Sequence, residues 1–175
     1  PDVKKLTDKW INEAEILCKV SVIFRPVKIT VAKDEIIIDG SEKLTGSSLA
    51  ALLENSDEAV IMAAASGPCI TDQIRLLQQR GEMARALVYD AAASEITDAG
   101  LDWLIGLLKQ WLIREGKVLT HMRYSPGYGD FDLSNQRIFY NLLNLNEWGI
   151  ELTEKYILVP EKTVTAIVGI ESSEK

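Results

Sequence analysis

A chain of 175 residues with 26 acidic and 19 basic side chains, net charge −7, is poorly matched to nucleic acid or an anionic membrane surface, both of which recruit basic patches. Its 47% hydrophobic content supports a sizeable core, and its length suits a single domain over 1–175. Cys18 and Cys69 stand far apart, with no CxxC and one histidine, His121, so there is no metal-ligand spacing and both cysteines read as reduced core residues.

The N-terminus leads into charged helix rather than an apolar leader, and the longest apolar runs, such as 103–108, are too short for a bilayer, so a cytoplasmic protein is expected. Leu6, Trp10, Ile11, Ala14, Leu17 and Cys18 recur at helical steps and predict a first amphipathic helix capped near Thr7. After Pro26 the period becomes two. Val27, Ile29 and Val31 predict a strand, Lys33-Asp34 a turn, and 35–39 the return strand of a hairpin ended by Gly40.

Ser47 is placed to cap a short helix carrying Leu49, Leu52 and Leu53, and the unbroken apolar run 59–65 predicts a strand covered on both faces. Thr71 then caps a helix that stops at Gly81. From 82 to about 114 the composition favours helix, with small residues at 90–94 and Gly100 suggesting two helices or one kinked helix; Trp103, Leu104, Leu107, Leu108, Trp111 and Leu112 form an apolar face. A strand over 118–124, a helix over 133–143 capped by Asp132, a turn over 144–149, and a closing pair of strands at 156–159 and 164–170 complete the chain, with 171–175 a frayed tail. The order α-β-β-α-β-α-α-β-α-β-β, with two hairpin-like pairs, favours an α+β fold with a mostly antiparallel twisted sheet and packed helices.

Several stretches could carry chemistry. The loop 66–71 has one glycine before a helix but lacks the further glycines and lysine of a phosphate loop, so it reads as a turn. His121, Ser125 and Asp130 lie too close in sequence to converge as a nucleophilic triad, and no catalytic set is assigned. Asp98 and Asp102, one helical turn apart, read as a solvated face. The loop 123–130 differs from these: Pro126, Gly127 and Gly129 allow a tight fold with outward backbone groups, flanked by Arg123, Tyr124 and Tyr128. A bidentate cation and aromatic faces there suit a small anionic or zwitterionic ligand.

Arg123-Tyr124-Ser125-Pro126-Gly127-Tyr128 resembles the Arg-x-x-x-Gly-Tyr signature of the activation (reactivation) domain of cobalamin-dependent methionine synthase. Leu152-Thr153-Glu154 and Pro160-Glu161-Lys162-Thr163-Val164-Thr165 are similar to that family's Leu-Thr-Glu and Pro-x-x-Ser-Val-Ser segments. Gly129 departs from a proline common in the family, and Asp98 stands where a glutamate is usual.

The resemblance implies a module that binds S-adenosylmethionine and supports reductive remethylation of cob(II)alamin. The cobalamin would be carried by a separate methionine synthase lacking its own activation domain, with an electron-donor protein as a further partner. No independent turnover is implied. Arg123 would hold the methionine carboxylate, Ser125 and Gly127 would offer backbone groups, Tyr128 would lie beside the adenosyl or sulfonium part, and Asp98 would supply an acidic contact. The alternatives are an accessory protein for another corrinoid methyltransferase and a stand-alone methyltransferase or hydrolase.

Overall fold

The structure, a computed structural model, describes residues 2–173. Helix α1 (Val3–Leu17) is followed by β1 (Ser21–Ala32), β2 (Glu35–Ile38), β3 (Glu42–Thr45), α2 (Ser47–Leu53) and β4 (Glu58–Ala65). Then come α3 (Pro68–Gln79), α4 (Met83–Ile113), β5 (Lys117–Leu119), a 3-10 turn (Leu133–Asn135) running into α5 (Gln136–Leu142), a second 3-10 turn (Leu145–Trp148), β6 (Glu151–Leu152), β7 (Leu158–Val159) and β8 (Thr163–Ser172). The main sheet has the order β3-β2-β1-β4-β8-β5, and every neighbouring pair in it is antiparallel. The fold is α+β.

Because strand side chains alternate, β4 feeds two cores. Ala59, Ile61, Ala63 and Ala65 face α2 and α5, while Val60, Met62 and Ala64 face α4. Behind α4 lies a further layer, in which Ala14 of α1 and Ile70, Ile74 and Leu77 of α3 pack on Ala86, Tyr89 and Ala93. Helix α4 is therefore sandwiched, and its small residues are the points of closest approach. A Cβ on Gly100 would lie 2.9 Å from Val20 Cγ1 and 3.4 Å from Ala64 Cβ, whereas Gly106 faces open space. Accordingly, Gly106→Ala is expected to raise the unfolding free energy by about 0.5–1 kcal/mol through helix propensity alone. Gly100→Ala should show no such gain, because Val20 must move; urea midpoints of the two variants measure the contrast.

Several local expectations are corrected. Asp2, not Thr7, caps α1, its carboxylate accepting from the Lys4 N–H at 3.2 Å. Gly67, not Thr71, precedes α3, and the Thr71 hydroxyl is buried inside the helix without a partner among the described residues. The 82–114 stretch is one continuous helix of 31 residues. Strand β1 begins at Ser21 and runs through Pro26, which is tolerated because β2 pairs only with residues 29–32 and leaves an open edge there. The closing strands do not pair with each other: β7 pairs with β6, and β8 inserts between β4 and β5.

Glu171 and Ser172 are paired with β5 rather than frayed, and Ser173 bonds the Gly116 carbonyl; residues 174–175 lie outside the described ones. Cys69 is exposed in the first turn of α3, which buries Ile70 and Thr71 instead. Cys18 is half-buried, and burial pushes its thiol up from the ordinary value. No helix among the described residues is long and apolar enough to cross a membrane.

Candidate functional site

The 118–124 stretch forms a ladder only to Leu119, after which it touches β8 at two points. Thr120 N–H donates to the Gly169 carbonyl at 3.0 Å, and Tyr124 exchanges both backbone bonds with Ile167 at 2.9 Å. Between these pins the chain leaves the sheet edge, which turns Arg123 towards α4. Tyr124 goes to the opposite core, its ring 6.1 Å from that of Phe131.

The loop that follows is tighter than expected. Gly127 N–H donates to the Phe131 carbonyl at 2.7 Å, Tyr128 N–H to Ser125 and Phe131 N–H to Tyr128, so these three donors are used within the loop. Gly129 has φ +55°, and a Cβ there would sit 2.5 Å from the Tyr124 hydroxyl. Asp130 ends the loop by accepting from the Ser47 hydroxyl and the Ser48 N–H, so the cap of α2 comes from the loop and not from Ser47 itself.

Hydrogen bonds from Ser47, then from Ser48, favour the charged carboxylate and hold Asp130 far below the usual range. A folded pKa depressed in this way contributes stability above the unfolded value of about 3.9 and loses it as pH falls through the folded value. Asp130→Ala should therefore lower the melting temperature at neutral pH. The gap from wild type should narrow as pH is brought from about 6 towards about 2.

Arg123, with 20% of its side chain exposed, is paired by one nitrogen with Asp98 at 2.6 Å and by another with Asp102. Both carboxylates lie on the same face of α4, as helical spacing dictates. Partial burial opposes the charge on Arg123, but the hydrogen bonds and charges of the two acids outweigh it and raise the pKa above the ordinary value.

Around Tyr128 three adjoining depressions form one groove between α4, the 123–130 loop and the segment entering β8. One, of about 450 Å³, is lined by Asp98, Arg123, Ser125 and Tyr128; one of about 300 Å³ by Glu95, Asp98, Tyr128 and Lys162; one of about 210 Å³ by Ser125, Tyr128, Gln136 and Tyr156. Val164 and Tyr128 belong to all three, and Tyr128 is 69% exposed. Lys162 bonds Asp90 and Ser94, each at 2.8 Å, and fastens the β8 approach to α4.

Of the residues singled out by sequence, Asp98, Arg123, Ser125 and Tyr128 line this groove together, and Gly127 shapes the loop beside it. Gln136, Tyr156 and Lys162 were not singled out as site residues. Gln136 stands between Asn135 and Arg137, so no local pattern marks it. His121 is exposed and lines none of these depressions.

The sequence matches no protein-family model and no curated protein. Among solved structures, the chain is similar to the crystal structure of the MetH reactivation domain bound to AdoHcy, with a TM-score of 0.72 and 15% identity over 98% of this chain. The two share a fold. The alignment takes in 66% of that chain, so the present sequence spans about two thirds of its length. The α+β architecture expected from the order of elements is thus the architecture of the MetH reactivation domain.

Proposed function

We propose that the groove binds S-adenosylmethionine or its demethylated product, and that the chain serves as a reactivation module for a separate cobalamin-dependent methionine synthase. What carries this reading is the combination, in one groove of a fold shared with a domain solved with AdoHcy, of a guanidinium, a facing carboxylate and an exposed aromatic ring. A zwitterionic amino-acid head needs both charges. Arg123 would take its carboxylate through the planar fork, Asp98 its ammonium, and Tyr128 would lie beside the sulfonium or adenosyl part.

When bound, S-adenosylmethionine supplies an electrophilic methyl group; the cobalamin belongs to the partner, and the electron to a donor protein. This chain's residues would hold and orient the reagent, which is a matter of proximity rather than of acid–base catalysis. Tyr128 is joined at the rim by exposed Ile157 and Leu133, apolar surface suited to a macromolecular lid.

Calorimetric titration with S-adenosylmethionine, alone and beside a core synthase carrying cob(II)alamin, followed by addition of a one-electron reductant to the latter mixture, tests both halves. Heat of binding with recovery of the methylcobalamin spectrum is the expected result. Binding in neither setting would sink the proposal, and binding without recovery would shift the partner to another corrinoid methyltransferase.

A further inference from the structure

Strand β1 has a neighbour on both edges over only part of its length. Residues 21–28 pair with β4 on one edge, whereas β2 covers the other edge only at 29–32. Lys28 marks which backbone groups face the uncovered side: its C=O accepts from the Asp39 N–H and its N–H donates to Asp39 Oδ1, away from β4. Backbone groups alternate along a strand, so Val22 and Phe24 turn an N–H and a C=O the same way. No group among the described residues answers them there. An open edge of this kind is a template for a further strand, which natural proteins cover or blunt.

The two faces of that edge differ. On the α4 side Phe24 meets Trp111 with ring centroids 6.5 Å apart, and Trp103, Leu107 and Trp111 recur at four-residue steps along the helix. Phe24, Trp103 and Trp111 are 38%, 65% and 49% exposed, a row of large apolar groups left in water. On the opposite face Ser21 and Ile23 border a depression of about 220 Å³, walled by Pro68, Trp148 and Pro160, with Lys19 its one charged group.

Charge decides what this edge accepts. Residues 19–28 hold three cations, Lys19, Arg25 and Lys28, and no acid, in a chain whose net charge is −7. Arg25 is held by Asp39 at 3.0 Å and keeps 46% of its side chain exposed, while Lys19 and Lys28 have no ion pair among the described residues. A second copy paired antiparallel on the same edge would set these cations against one another.

We infer that the free edge of β1 docks an extended segment of a partner protein, added as an antiparallel strand in which apolar and acidic side chains alternate. The apolar side chains lie on Phe24 and the tryptophans of α4, and the carboxylates on the other face meet Lys19 and Arg25. The direction follows the rest of the sheet, and an antiparallel ladder makes the residues with apolar side chains the ones that bond Val22 and Phe24. The pairing involves none of the residues that line the groove.

The test measures fluorescence anisotropy of labelled peptides of about eight residues on the full chain: alternating Val and Glu, alternating Val and Lys, and two N-methylated forms of the first. The Val–Glu peptide is expected to bind, and the Val–Lys peptide to bind about tenfold more weakly or not at all. Methylating the Val nitrogens removes the donors that face β1 and should weaken binding about tenfold or more. Methylating the Glu nitrogens, which face solvent, should change it by less than about threefold. Lys19→Glu, a surface change, should weaken the Val–Glu peptide about fivefold. Binding of no peptide, or equal losses from the two methylation patterns, would overturn strand addition, and equal binding of the acidic and basic peptides would overturn the charge assignment. A dimer in sedimentation velocity that the Val–Glu peptide dissociates would put a second copy on the edge and overturn the acidic partner.

Discussion

Arg123→Ala is expected to weaken binding of S-adenosylmethionine and S-adenosylhomocysteine by about 100-fold, because it removes a charge-assisted bidentate contact to the ligand carboxylate. Its effect on folding should be small, about 1 kcal/mol or less. The partners it abandons, Asp98 and Asp102, are 55% and 66% exposed and are solvated by water once the guanidinium is gone. The same ion pairs imply competition, since the ligand carboxylate must share or displace an acid already holding Arg123. Asp102→Asn removes a competitor that the ligand does not need and should tighten binding by about threefold, whereas Asp98→Asn removes the proposed ammonium partner and should weaken it. Titration of the three variants separates a ligand site from a structural clasp: a clasp would leave all three affinities alike.

The elements legible in the sequence are those whose pattern has one physical solution. The unbroken apolar run of β4 needed cover on both faces, and α4 and the α2–α5 layer supply it. Alternation at Val27, Ile29 and Val31 located the β1–β2 hairpin. Misreadings arose where local chemistry is ambiguous about tertiary context. The small residues at 90–94 and Gly100 suggested a break or kink along the chain, but in a helix packed on two sides small residues allow close approach. The Pro160-Glu161-Lys162 turn signal was sound as a turn, yet a turn does not say which sheet edge is free, and β8 found β4 and β5 instead of β7.

The site divides in the same way. Arg123 and its glycine-bearing loop were visible because such composition exceeds what a connector needs. Asp98 and Asp102 were visible as a shared face, but their partner lies across the fold, and only the pins at Thr120 and Tyr124 bring Arg123 to them. Gln136 and Tyr156 carry no local mark: a buried glutamine and a left-handed tyrosine become evident only when the backbone is in place.

Gly169→Ala should produce the largest loss of stability, about 3 kcal/mol, seen as a lower urea midpoint at unchanged slope. Gly169 lies in β8 opposite Ala59, and an added Cβ would run into Ser56 Oγ and come within 2.7 Å of both Leu53 Cδ2 and Thr120 Cγ2. These neighbours lie in α2, in the turn that follows it and in the segment after β5, so no single rotamer change relieves the clash. The buried Ser56 hydroxyl has no hydrogen-bond partner among the described residues, which makes it the cheapest group to remove. Ser56→Gly combined with Gly169→Ala should therefore recover part of the loss, a non-additive result that additive destabilisation would not give. Stability and binding should recover together. Gly169 N–H donates to Thr120 Oγ1 at 3.1 Å while Thr120 N–H donates back to the Gly169 carbonyl, and this reciprocal pair is the first of the two pins that aim Arg123 at α4. Displacing Thr120 loosens the segment bearing Arg123, so the single variant should lose ligand affinity even under conditions where it remains folded.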